Sequence, residues 1–114
     1  MTAPTKTTVE QHGEIAILRF EGDIMSASEE AVLGAYERVG VGTRKLLLDF
    51  SRVPYLNSSG IALVIRLLIA ASKASQRTVC FGLSAHFEKV FRILGLARYT
   101  SLHVDEVAAR AAAG

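Results

Sequence analysis

The segment Asn57-Ser58-Ser59-Gly60 of this 114-residue chain carries side chains capable of chemistry. Two hydroxyls stand beside an amide where an apolar helical pattern begins. A serine so placed could attack an acyl group, accept a phosphoryl group, or simply cap a helix. The acyl-transfer elbow needs glycine two residues on either side of its serine. Gly60 follows Ser58 at that distance, but Leu56 precedes it. The three histidines, His12, His86 and His103, fall at no metal-ligand spacing with one another or with carboxylate pairs. No G-x-x-x-x-G-K phosphate cradle is present. Cys80 is the only cysteine, set between Val79 and Phe81, and reads as a small apolar core residue. The residues argue against an enzyme, and no catalytic residue, metal or cofactor is expected.

Capping alone would explain part of the segment, because Asn and Ser both accept from orphan helix N–H groups, a contribution of about 1 kcal/mol. Three features strain that explanation. The segment follows a buried strand, where a loop exposes it. Two hydroxyls stand where one suffices. Gly60 weakens a helix start by roughly 0.5–1 kcal/mol relative to alanine unless a close approach requires it.

The elements that must position this segment follow from hydrophobic period. Residues 1–8 are small and polar and read as a flexible tail, with no apolar stretch of the kind a secretory signal carries. Val9 to Phe20 is strand-like and broken by His12-Gly13, which predicts a hairpin. Ile15, Ala16, Ile17, Leu18 and Phe20 put apolar groups on both pleat faces, as in an interior strand covered on each side. Ser26 with Glu29 forms a capping-box pattern for a helix through Val32, Leu33, Tyr36 and Val39. Lys45 to Phe50 is a buried strand, Ser51 to Tyr55 a loop, and Ser58 to about Ser75 a helix. Thr78 to Leu83 is a further strand. Ser84 caps a helix with Phe87, Val90, Phe91 and Leu94 on one face, closed by Gly95 and Leu96. Tyr99 to Val104 is a last strand, and Asp105 caps a terminal alanine-rich helix. The alternation predicts one α/β domain over 9–114, a mixed central sheet of about 4–5 strands packed by about 4 helices.

Composition sets outer limits. Half the residues are hydrophobic and 21% are charged, which excludes a disordered chain. Thirteen Lys and Arg against eleven Asp and Glu leave a formal charge of +2, scattered along the sequence, so no nucleic-acid partner is expected. The most apolar run, Ile61 to Ala71, is interrupted by Arg66 and falls short of the roughly 20 residues a bilayer needs. A cytoplasmic domain without a membrane partner is expected.

Residues Leu48 to Ile61, Leu-Asp-Phe-Ser-Arg-Val-Pro-Tyr-Leu-Asn-Ser-Ser-Gly-Ile, resemble the core motif of STAS domains in the anti-sigma factor antagonist branch. Phe87 to Leu96 resembles that family's helix ending in Gly-Leu, and Gly22-Asp23-Ile24 its turn before the first helix. The resemblance spans residues 9 to 110. It implies a partner switch: an anti-sigma factor serine kinase phosphorylates the first serine, here Ser58, and the unphosphorylated antagonist binds that kinase and frees the sigma factor. A serine phosphatase resets the switch. Asp23, Asn57, Ser59 and Gly60 are then the partner-binding neighbours of Ser58, and nucleotide belongs to the kinase, so the chain itself needs no cofactor.

Two positions depart from the family pattern. Asn57 stands where an aspartate usually precedes the acceptor serine, and Met25 where an acid often follows the Gly-acid-aliphatic turn. Two alternatives therefore stay open, a STAS scaffold without a phosphate switch and a ligand-sensing module.

Overall fold

The computed structural model describes residues 4–113. Five strands form one mixed sheet in sequence order: β1 Lys6–His12, β2 Ile15–Glu21, β3 Lys45–Arg52, β4 Arg77–Phe81 and β5 Thr100–His103. The β1–β2 hairpin is antiparallel and every later pairing is parallel. Each parallel step needs a crossover, and the helices α1 Ala35–Glu37, α2 Ser58–Lys73 and α3 Ala85–Ile93 supply them. A fourth helix, α4 Glu106–Ala113, follows β5.

Alternation along the strands divides the interior into two layers. Leu18, Phe20, Leu46, Leu48, Phe50 and Cys80 face α2 and α3 and join Leu63, Val64, Leu67 and Phe91 in the main core. Ile17, Leu47, Val79 and Phe81 face the other way, under Ala109 and Ala113 of α4. Phe50 sits at the centre of the main layer, 5.2 Å from the Phe20 ring and 6.0 Å, edge-on, from Phe91. Each fully buried side chain of this size contributes about 1.5–3 kcal/mol through the area removed from water. The apolar run of α2 is buried inward, while Arg66 and Ile69 remain on its outer face.

The expected fold class and the local signals for three helix ends hold. The Phe87 N–H donates to Ser84 Oγ at 3.3 Å, and the Ala108 N–H to Asp105 Oδ1 at 3.0 Å. Gly95 adopts φ 76° after α3, and Leu96 behind it is buried.

Other expectations are corrected. The tail expected over 1–8 overlaps β1, which starts at Lys6 and pairs Thr7 with Phe20 and Thr8 with Arg19. Backbone pairing does not need apolar side chains, and threonine suits a pleated edge. Residues 1–3 lie outside the described residues. The helix expected from Ser26 is wound in three pieces, a 3₁₀ turn Ser26–Ser28, a π-type turn Glu30–Gly34, and α1. Its entry is not capped by Ser26 with Glu29. Ser28 Oγ accepts instead from the Met25 N–H at 2.9 Å. β3 runs on through Arg52, whose carbonyl accepts from the Gly22 N–H at 3.0 Å, so the loop begins later than Ser51. β4 stops at Phe81 because Gly82, at φ 82°, turns the chain against the Ser51 backbone. Leu94, expected on the buried face of α3, is 51% exposed.

Candidate switch site at the start of helix α2

The loop between β3 and α2 is fixed by the turn after β2. The Ile24 N–H donates to the Tyr55 carbonyl at 3.0 Å, and the Asn57 N–H donates to the Ile24 carbonyl at 3.3 Å. Ile24 and Leu56 form a short parallel bridge, and both side chains are buried. Asn57 then takes an extended conformation and its Oδ1 accepts from the Gly60 N–H at 2.8 Å. The amide does the capping that the sequence assigned to the segment as a whole, which leaves both hydroxyls without that task.

Ser58 and Ser59 occupy the first two helical positions and are exposed. Neither hydroxyl has a hydrogen-bond partner among the described residues, and the N–H groups of both serines point out of the helix end unsatisfied. Gly60 differs from its neighbours because it is buried. A Cβ there would lie 1.9 Å from the Ile24 carbonyl oxygen, so the glycine is required by a close approach within the chain itself. The Gly22-Asp23-Ile24 turn and the Asn57-Ser58-Ser59-Gly60 segment are thus one braced unit.

Asp23 lies on that turn, half-buried, with its carbonyl accepting from Thr5 Oγ1 at 2.6 Å. Its carboxylate forms no ion pair among the described residues. The structure therefore brings Asp23, Asn57, Ser58 and Ser59 to one end of the sheet, and puts Gly60 beneath them as a spacer. Two aromatic neighbours complete the rim. Tyr55, 49% exposed, meets the Phe87 ring edge-on at 6.1 Å, and His86 packs at 4.8 Å on the same ring. Tyr55 was hidden in the sequence as an ordinary loop residue. Only its register beside Ile24 puts it at the site.

A second polar region was also missed. On the sheet face opposite α2, Arg19 bonds Glu10, and its Nη1 donates to Asp49 Oδ2 at 2.9 Å and to Glu106 Oε1 at 2.8 Å. Asp49 Oδ1 also accepts from the Ser51 N–H and hydroxyl. The hydrogen bonds from Arg19 first, then from Arg110, hold the Glu106 carboxyl down at about 2. Glu10, Arg19, Asp49, Ser51 and Glu106 line a cavity of about 620 Å³. The pairs of Arg19 with Glu10, Asp49 and Glu106 tie α4 to the sheet. The signal lay in Arg19 and Asp49 themselves, since a charge inside a buried strand requires a partner. Cys80 is fully buried and burial pushes its thiol up to about 12. No trio of His, Cys, Asp or Glu is arranged to hold a metal among the described residues.

The sequence matches the family model described as "Mlab, STAS domain" over residues 7–104. The chain belongs to the STAS-domain family. None of the curated proteins compared is a match. Among solved structures, this STAS domain is similar to an anti-sigma factor antagonist from Mycobacterium paratuberculosis, with 19% identity and a TM-score of 0.77 over 99% of this chain and 98% of that one. It is similar to the Bacillus cell fate determinant SpoIIAA in its phosphorylated form, at 21% identity, 90% and 95% coverage and a TM-score of 0.64. It is also similar to a sulfate transporter family protein from Wolinella succinogenes, at 13% identity, 90% and 88% coverage and a TM-score of 0.73. Identities this low establish a shared STAS fold, which serves proteins of different function. No helix among the described residues is long and apolar enough to cross a membrane.

Proposed function

We propose that this STAS protein is an anti-sigma factor antagonist, switched by phosphorylation of Ser58. In its unphosphorylated form it binds an anti-sigma factor serine kinase and frees the sigma factor. The observation that carries the reading is an exposed Ser58 hydroxyl at the first position of α2, unneeded for capping because Asn57 already bonds the Gly60 N–H. Phosphoryl transfer joins Ser58 Oγ to the γ-phosphorus of ATP held by the kinase. The bond to the β–γ bridging oxygen breaks, ADP leaves, and the hydroxyl proton passes to a base on the kinase. A serine phosphatase reverses the state by hydrolysis. This chain supplies the acceptor and the docking surface and performs no catalysis.

The electrostatics favour a switch that leaves the fold intact. A phosphoserine adds about −1.5 to −2 charges at pH 7. At a helix N-terminus the unsatisfied N–H groups and the dipole tolerate that anion. The penalty falls on the complex, where the partner must desolvate the phosphate or oppose it with like charge. Asp23, Asn57, Ser59, Tyr55 and His86 form the surrounding contact surface, with Gly60 setting its shape.

The test is phosphopeptide mass spectrometry on the protein from its native cells under growth and stress. The expected result is a phosphate on Ser58 whose occupancy differs between the two, absent from Ser58→Ala and retained in Ser59→Ala. A clearly detected peptide without phosphate in either condition overturns the switch. The uncharged Asn57 beside the serine favours a second reading, in which the same braced surface binds a partner constitutively as a scaffold. Partner retention by a Ser58→Asp protein separates the scaffold from the switch.

A further inference from the structure

Charges that are scattered along the sequence are sorted by the fold toward its two ends. Strands β2 to β5 all begin at the same end of the sheet, and α2 and α3 finish there. Arg44 and Lys45 stand at the start of β3, Arg77 at the start of β4, and Lys73 in the last turn of α2. The other end, where Ser58 opens α2, carries Glu21, Asp23, Glu29, Glu30, Asp105 and Glu106 against the cations Lys6 and Arg52, the latter paired with Glu21. Lys73 is accounted for by the negative end of its helix dipole. Arg44, Lys45 and Arg77 stand on strand ends, where the net dipole is small and offers no such reason.

These cations are held close together. The Arg77 N–H donates to the Arg44 carbonyl at 2.8 Å, and Lys45 and Arg77 are register partners. They line a shallow cavity of about 440 Å³ with Thr43, Ala74 and Ser75. Among the described residues one acid pairs with the group, Glu14 at 3.8 Å from Arg44, and both of those side chains are exposed. Aliphatic side chains protrude around the same end. Val41 is fully exposed at the tip of the Gly40-Val41-Gly42 turn, and Ile93, 73% exposed, and Leu94 close α3.

We propose that this basic end docks on an anionic lipid bilayer, leaving the Ser58 end turned away into water. Anionic headgroups attract each Lys or Arg near the surface, and the headgroup layer deforms around isolated aliphatic points. A nucleic acid offers phosphates but no apolar layer for Val41, Ile93 and Leu94. A folded acidic partner needs a separate socket for each protrusion. The inference is independent of phosphorylation at Ser58, because the two ends share no residue.

The test is co-sedimentation of the full chain with vesicles of phosphatidylcholine containing one-third phosphatidylglycerol, against vesicles of phosphatidylcholine alone. Binding to the anionic vesicles only, released by high salt, is expected. Arg44→Gln and Arg77→Gln should each lower the partition roughly fivefold, and Val41→Asp should lower it further. Lys6→Gln and Arg52→Gln, at the opposite end, should leave it unchanged. All five positions are exposed or loop-borne, and an unchanged melting temperature checks that each variant is folded. Equal binding to both vesicle types, no sedimentation with either, or full partition by the Arg44→Gln/Arg77→Gln double variant overturns the proposal. So does binding of duplex DNA or polyglutamate in place of vesicles.

Discussion

Gly60 and Ile24 are packed so closely that a Cβ on Gly60 would sit 1.9 Å from the Ile24 carbonyl oxygen. The contact joins the turn after β2 to the first turn of α2, and the same Ile24 carbonyl accepts from the Asn57 N–H. Ser58 therefore sits on a surface whose shape is set by backbone atoms, which a partner can meet without reordering it.

Gly60→Ala sets two effects against each other. Alanine is the better helix former by about 1 kcal/mol. The added methyl, however, meets a backbone carbonyl that cannot rotate aside, and overpacking of this kind costs about 1–3 kcal/mol. Net destabilisation is expected in urea unfolding, with shifted amide resonances at Ile24 and Asn57. A protein as stable as wild type with unshifted resonances would refute the packing argument.

Asn57 tests the cap separately from the charge. Asn57→Ala removes the acceptor for the Gly60 N–H and should cost about 1 kcal/mol. Asn57→Asp retains an acceptor and places a negative charge at the positive end of α2, which contributes about 0.3–1 kcal/mol at low salt. Thermal melts of the two variants should move in opposite directions, and added salt should shrink the gain of the aspartate variant. A loss in both would mean that the amide NH₂ makes a contact the capping account omits.

Most of the elements were legible because their signals are local. Ser84, Gly95 and Asp105 each act within four residues, and the hairpin at Gly13 needs only a two-residue turn. Tertiary constraints were harder to read. Met25 replaces Ser26 at the helix entry because Ser28 is drawn in toward the Asp23 carbonyl and Thr5. Glu106 meets Arg19 across 87 residues, a pairing no periodicity announces. At the site, the residue types of Asn57 to Gly60 drew notice early, whereas the partner of Gly60 lay on another element. The basic end was invisible in sequence for the same reason, since register alone brings Arg44, Lys45 and Arg77 together.

The Arg19 hub gives a pH dependence with a definite sign. Glu106 has a folded-state pKa of about 2, below its usual range, and Glu10 is lowered too by the hydrogen bond from Arg19. The stability these carboxylates contribute is therefore present above their unfolded values, near pH 4.5, and is lost as pH falls toward 2. Both groups are partly exposed, so solvent screening limits each contribution to about 1 kcal/mol or less. Glu106→Gln should flatten the acid limb of stability against pH and hasten hydrogen exchange in α4, while leaving α2 protected. An acid limb as steep as that of wild type would show that the ion pairs do not anchor α4.

Cys80 is the last group whose chemistry the fold decides. Its thiol is fully buried beside the Thr100 hydroxyl, and burial raises it to about 12, so at pH 8 almost none is thiolate. Thiolate is the reactive form, and iodoacetamide needs both that form and access. Labelling of the native protein should therefore wait on unfolding and follow its urea dependence, becoming rapid only beyond the transition. The opening free energy obtained from the labelling rate should match the global one, because Cys80 lies in the main core on an interior strand. Fast labelling without denaturant would require β4 to open locally, and hydrogen exchange at Val79 and Phe81 would then be equally fast.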